Sequence, residues 1–169
     1  MLGEHTLGPD DQSGLEVVPL YEEQYVLLVS GEQLVPAART ITWAEAAQLP
    51  LALLTPDMRF RQFIDKAFAS SGAVAVPQVE TDSVASLYAH VATGAWASVV
   101  PHTWLRAMPV TGAARAIRLV EPDTRAQISM AIHAGTPGSV AARAFLNVAV
   151  GTPLNDIFEL HGKDLVHVA

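Results

Sequence analysis

A chain of 169 residues has room for one core of ordinary size or for two small lobes, and none for several independent domains. Half of its residues are apolar and 16% are charged, so most of it is expected to be buried and ordered, while a net charge of −7 with only 10 scattered basic residues works against polyanionic partners such as nucleic acid. The absence of cysteine excludes a disulfide framework, a thiolate metal site and a cysteine nucleophile, and fits a reducing, cytoplasmic home.

Met1 is followed by Leu-Gly-Glu-His, which lacks the basic and apolar regions of a secretory signal, and the segment up to Gly14, with Gly8-Pro9-Asp10-Asp11, reads as a loop. From Leu15 the chain becomes strand-like, and Tyr25 to Val29 form an apolar run bounded by Ser30-Gly31. Thr42-Trp43-Ala44-Glu45 has the pattern of a capping box, predicting a short helix to about Leu49. Leu51 to Leu54 reads as a buried strand. Thr55-Pro56-Asp57 then offers a cap, an N1 proline and first-turn negative charge for a helix. In that helix Phe60, Phe63, Ile64, Ala67 and Phe68 share one face, Arg59, Arg61, Asp65 and Lys66 mostly take the other, and Gly72 is the stop. Ala73 to Thr81 reads as a strand in which Pro77 marks an edge or an irregularity.

Asp82 or Ser83 caps a third helix, whose Val84, Leu87, Tyr88 and Val91 fall at helical spacing before Gly94. Trp96 to Val100 reads as a strand and Pro101 to Leu105 as a turn or short helix. The stretch from Ser83 to Leu105 carries no formal charge over 23 residues, but His90, Gly94, Ser98 and Pro101 divide it into buried elements rather than a membrane span. Strands follow around Ile117–Val120 and Ile128–His133. Thr136-Pro137 opens a last helix with Ala141, Ala144, Phe145 and Val148 on one face, stopped at Gly151, and the sequence beyond is weakly patterned. Repeated strand, helix, strand order predicts an α/β fold: a mostly parallel sheet flanked by helices.

Open α/β sheets bind ligands beyond the carboxyl ends of their strands, where helix N-termini present free amides. Thr55-Pro56-Asp57-Met58 and Pro101-His102-Thr103 both follow strands, and each offers a hydroxyl and backbone amides suited to a carboxylate or other small anion. Spacing alone favours reading Thr55 and Thr103 as ordinary caps and His102 as a surface histidine rather than a base, ligand contact or pH switch. The other histidines show no metal-ligand spacing, and no nucleophile elbow, Walker A loop or dinucleotide fingerprint occurs. Asp10-Asp11 and Glu22-Glu23 read as solvated acidic pairs, and the three tryptophans as core or pocket-rim packing. No enzyme activity, metal or cofactor is expected.

Taken in order, Leu15 to Val29, Ile41 to Glu45, Leu51 to Pro56, Glu80 to Ser83 and Gly94 to Pro101 resemble the effector-binding domain of LysR-type transcriptional regulators, and Ser139 to Phe145 looks like that family's final lobe-one helix. The resemblance spans Leu15 to about Val150. It implies a type 2 periplasmic-binding-protein-like fold with residues 1–22 as a lobe-one remnant and crossover strand, 23–119 as lobe two, 120–151 as the return strand and last helix of lobe one, and 152–169 as a tail. It further implies that the winged helix-turn-helix, linker helix and first part of lobe one would precede Met1, an N-terminal truncation that leaves lobe-one apolar faces without partners.

In that family the effector sits between lobes. Carried over, the effector-binding residues are Thr55, Pro56, Asp57, Met58, Arg59, Phe60, Pro101, His102 and Thr103, with Thr55 donating its hydroxyl, nearby amides holding an anionic group, and Met58 or Phe60 forming an apolar wall. The implied partners are a small-molecule effector and a second copy in a homodimer, with DNA reached only through the missing winged-helix domain and no membrane. A fragment of a solute-binding carrier, sharing the fold, is the alternative, and an α/β enzyme using His102 as base is a third reading.

Overall fold

The computed structural model describes residues 3–4, 14–31, 34–35, 39–108, 113–133 and 140–159. The turn chemistry expected at Gly8-Pro9-Asp10-Asp11, the helix start expected at Thr136-Pro137 and the chain from 160 onward lie outside them. The described residues fall into two compact units, one made of the chain up to Glu23 together with Arg125–Glu159, the other of Gln24–Thr124.

The first unit contains β1 (Gly3–Glu4), the first part of β2 (Leu15–Ser30), β8 (Arg125–His133), α5 (Val140–Gly151) and α6 (Leu154–Phe158). β1 pairs antiparallel with β8, so the opening segment expected to be wholly loop carries a short strand. α6 gives a short helix to the start of the segment beyond Gly151, whose sequence is only weakly patterned. Its Asn155 side chain accepts a hydrogen bond from the Glu22 amide at 3.0 Å, and Phe158 packs on Tyr21 with ring centroids 4.9 Å apart. Glu22, expected to be only solvated, pairs with Arg125 at 3.0 Å, and its neighbour Glu23 is buried.

α5 buries a different face from the one expected. Leu146 is buried, while Ala141, Ala144, Phe145 and Val148 are exposed. The helix is apolar nearly all round, so its period does not choose between faces.

In the second unit the remaining part of β2 lies between β7 (Ala114–Val120) and β6 (Ser98–Pro101), antiparallel to both. β3 (Thr40–Thr42) pairs parallel with β7, and β4 (Ala52–Leu54) pairs parallel with β5 (Val79–Thr81). A parallel bridge between Leu51 and Ala97 joins β4 to β6. The order is therefore β3-β7-β2-β6-β4-β5, with β2 alone running against the rest: an α/β sheet, largely parallel and mixed by one strand. Only the last residues of the stretch Ala73–Thr81 pair as a strand, on the edge where Pro77 had suggested one.

Helices cover both faces. α1 (Trp43–Ala46) begins with the expected capping box, in which Thr42 Oγ1 accepts from the Glu45 amide at 3.1 Å and the Glu45 carboxylate accepts from the Thr42 amide at 2.9 Å. Trp43 is fully buried and its indole N–H donates to the Pro122 carbonyl at 3.1 Å. α3 (Val84–Ala92) is capped by Ser83, whose hydroxyl accepts from the Ser86 amide, and Gly94 follows at φ +78°, a left-handed conformation that favours glycine. Strand side chains alternate between the faces. Val26, Leu28, Leu54, Val100 and Ala116 point to the face where Leu87 and Val91 of α3 pack, and Met58, Phe60, Tyr88 and Trp104 join the same cluster.

α2 (Arg59–Ser70) corrects two expectations. It starts at Arg59 with Met58 as its N-cap, so Thr55-Pro56-Asp57 is a turn and not the helix's first residues. The Thr55 amide continues the β4–β5 pairing by donating to the Thr81 carbonyl at 3.1 Å, and the Met58 amide closes the turn onto the Thr55 carbonyl at 3.0 Å. Arg61, assigned to the solvent face by its spacing, is 6% exposed.

Candidate functional site

Because β4, β5 and β6 are parallel, their carboxyl ends emerge on one edge of the second unit, and β2, running the other way, enters that edge at Gln24. The residues expected to hold a ligand are distributed along this edge. Thr55 follows β4, Pro101 ends β6, and His102 and Thr103 lead into α4 (Trp104–Ala107). The structure thus brings the two segments to one edge, as neighbouring strand exits.

Pro101 is buried, and the side chains of the other eight divide into three groups. Pro56, Asp57 and Arg59 are exposed. Met58 and Phe60 are half-buried and rest on the cluster that contains Leu54 and Val100. Phe60 also packs on Trp104 at 5.2 Å and Tyr25 at 5.9 Å, and Tyr25 in turn stacks on Phe63 at 4.7 Å, so an aromatic row runs along the edge. Trp104 belongs to this rim, one of the two roles its sequence had left open; Tyr25 was legible only as strand core.

The third group is polar and shielded. Thr55 Oγ1 is buried and has no hydrogen-bond partner among the described residues, which does not match the ordinary cap that spacing favoured. Met58 supplies no side-chain acceptor as the N-cap of α2, so the first-turn amides of that twelve-residue helix are left for solvent or for an anion. Thr103 stands at the N-cap of α4 but makes no side-chain capping bond. His102 is 5% exposed, not a surface histidine. Its backbone amide donates to the Gln24 carbonyl at 2.9 Å, and its Nδ1 lies 3.0 Å from the Gln24 amide and 3.1 Å from the Gln24 carbonyl. Either tautomer therefore finds a partner on Gln24, and the imidazole is fixed against β2.

Arg61 was missed as a site residue. Its Nη1 donates to the Leu54 carbonyl at 2.7 Å and to Glu80 at 2.7 Å, and its Nε to Asp65 at 2.8 Å. The guanidinium therefore ties α2 to β4 and β5 immediately before Thr55. Only the Asp65 partner, one helical turn away, was visible as a spacing.

Among the described residues no three His, Asp or Glu side chains are grouped to hold a metal ion, and no helix is long and apolar enough to cross a membrane. A mostly parallel sheet with a half-apolar, half-polar rim at its strand exits defines an α/β ligand-binding domain. The chain belongs to the LysR substrate binding domain family, whose model matches residues 5–152. No curated protein matches it.

Solved structures share the fold. CbnR, a LysR family transcriptional regulator, superposes with a TM-score of 0.67 at 19% identity, covering 81% of this chain and 47% of its own. The reduced OxyR regulatory domain from Pseudomonas aeruginosa gives a TM-score of 0.68 at 18% identity over 90% of this chain and 71% of its own. The effector binding domain of QuiR in complex with shikimate gives 0.69 at 17% identity over 85% and 68%. The chain spans about half the length of CbnR, 47%.

Proposed function

We propose that this chain is the effector-sensing part of a cytoplasmic LysR-type transcriptional regulator and binds a small carboxylate or similar anion at the strand-exit edge of its second unit. The role is binding rather than catalysis. In the whole protein, a homodimer reaching DNA through a separate winged-helix domain, the bound effector would shift the population between conformations and so alter DNA binding.

The observation that carries this reading is the Thr55 hydroxyl, shielded and without a partner at the exit of β4. A buried hydroxyl left unpaired is unfavourable by about 1–3 kcal/mol, so such a group calls for a bonding partner beyond the chain itself. Beside it, the uncapped amides of α2 favour negative charge, with Met58 and Phe60 as the apolar wall and Pro101, His102 and Thr103 as the neighbouring exit. Pro56, Asp57 and Arg59 would complete the loop around the ligand. The effector binding domain of QuiR, which shares the fold, was solved in complex with shikimate, a carboxylate.

The test is a thermal-shift and calorimetric screen of formate, succinate, benzoate and shikimate against the chain and against Thr55→Val. At least one carboxylate should raise the melting temperature, with affinity lowered about tenfold in the variant, equivalent to ~1.4 kcal/mol. Equal binding by both proteins, or binding of none of the four, rejects the assignment.

A further inference from the structure

Tyr88 stands outside the residues assigned above, yet it packs on the same cluster as Met58, Phe60 and Trp104. Its phenolic oxygen is shielded from solvent and has no hydrogen-bond partner among the described residues. If packing were the residue's whole purpose, phenylalanine would fill the position without burying a hydroxyl. Desolvation pushes its pKa up to about 12, so the group remains a protonated donor throughout the physiological range.

The direction of the side chain follows from the topology. α3 leaves the carboxyl end of β5 and returns toward the start of β6, so its N-terminus lies at the strand-exit edge. Helical side chains lean toward the N-terminus of their helix. Tyr88 therefore leans toward the edge that carries Thr55 and His102. Ser98, a further buried hydroxyl without a partner among the described residues, sits at the opposite end of β6, in register with Leu28.

We infer that the Tyr88 hydroxyl donates a hydrogen bond to the effector and selects small carboxylic acids that carry a second oxygen function, such as hydroxy acids, over the corresponding plain acids. The inference rests on the reading under Proposed function and deepens it: Thr55 and the amides of α2 take one polar end of the ligand, and Tyr88 reads the other across the apolar wall.

The experiment compares the chain with Tyr88→Phe and Thr55→Val, using the matched probes 3-hydroxybenzoate against benzoate and 3-hydroxybutyrate against butyrate. The unsubstituted chain should prefer the oxygenated member of a pair by about three- to tenfold, the range expected for one neutral hydrogen bond. Tyr88→Phe should abolish that preference while retaining the affinity for the plain acid, and Thr55→Val should weaken both members. Without ligand, Tyr88→Phe should melt at the same temperature or higher. A preference that survives in Tyr88→Phe while Thr55→Val still weakens binding overturns the role of Tyr88 and leaves the rim assignment standing. Failure of all four probes to bind the unsubstituted chain removes both. A lower melting temperature for ligand-free Tyr88→Phe shows the hydroxyl bonded within the protein, and that also overturns the inference.

Discussion

Arg61 Nη1 donates to the carbonyl oxygen of Leu54 at 2.7 Å, fixing the last residue of β4 to the second unit's longest helix one residue before the candidate site. Burial alone would disfavour the charged guanidinium, but hydrogen bonds to Asp65 and Glu80 outweigh it and hold its pKa above the ordinary arginine value. Replacing Arg61 with methionine keeps much of the apolar stem and strands the Leu54 carbonyl. The two carboxylates stay 44% and 42% exposed at Asp65 and Glu80 and can return to water, so their share of the loss is small. The expected destabilisation is about 1–3 kcal/mol. Arg61→Lys should fall between, since an ammonium lacks the planar fork that reaches three acceptors at once. Urea unfolding measures both, and an Arg61→Met midpoint equal to that of the unsubstituted chain rules this out.

The Thr42–Glu45 capping box makes a prediction about acid. The Thr42 backbone amide, and then its hydroxyl, hydrogen-bond the Glu45 carboxylate and hold its pKa below the ordinary glutamate value. A carboxyl whose pKa is depressed on folding adds stability above its unfolded pKa. That stability is lost as the pH falls through the folded value. Carbon-detected NMR titration should find Glu45 ionising below the usual glutamate range, and Thr42→Val should move it upward while leaving the backbone contribution in place. Thr42→Ala should lower stability by about 0.5–2 kcal/mol. An ordinary Glu45 titration in the intact chain contradicts the mechanism.

Local chemistry made much of this architecture legible. Thr42-Trp43-Ala44-Glu45 and Ser83 announce their helices because a cap is a contact between near neighbours. The strand exits at Leu54 and Pro101 could be found because apolar runs there give way to turn residues. What depended on distant partners was hidden. Arg61 looks like part of a solvated face until Glu80 and the Leu54 carbonyl are brought to it, and His102 looks exposed until β2 lays Gln24 against its ring. Thr55-Pro56-Asp57 carries every local sign of a helix start, but the Met58 amide closes a tight turn onto the Thr55 carbonyl and the helix begins only at Arg59. In α5 the sequence pattern was ambiguous rather than misleading, since several faces of an almost wholly apolar helix satisfy the same period.

That ambiguity is resolved by contrasting two adjacent side chains of α5. Leu146 is 6% exposed and Phe145 61%, so truncation should have opposite consequences from those their sizes suggest. Leu146→Ala should destabilise the chain by about 2–5 kcal/mol, as expected for a buried leucine. Phe145→Ala should change the stability of the isolated chain by about 0.5 kcal/mol or less, the usual range for a surface substitution. Thermal unfolding of both variants at low protein concentration gives the comparison. A Phe145→Ala loss matching that of Leu146→Ala would mean that the helix buries the face its spacing first suggested.

Tyr88 gives the corresponding prediction in alkali. Its unfolded value is near the ordinary 10.0, and desolvation raises the folded value to about 12. A group whose pKa is raised on folding contributes stability that is complete below the unfolded pKa and is lost as the pH rises through the folded one. Unfolding should therefore become easier between those two values, because the unfolded chain releases the Tyr88 proton earlier than the folded chain does. Tyr88→Phe removes this ionisation, and the variant's stability should fall less steeply across the same interval. Absorbance near 295 nm, which follows tyrosinate formation, should show a late-titrating step in the intact chain that is lost in the variant. If the two proteins give the same alkaline stability curve and the same late absorbance step, the Tyr88 hydroxyl is not shielded in the way its packing against the core cluster requires.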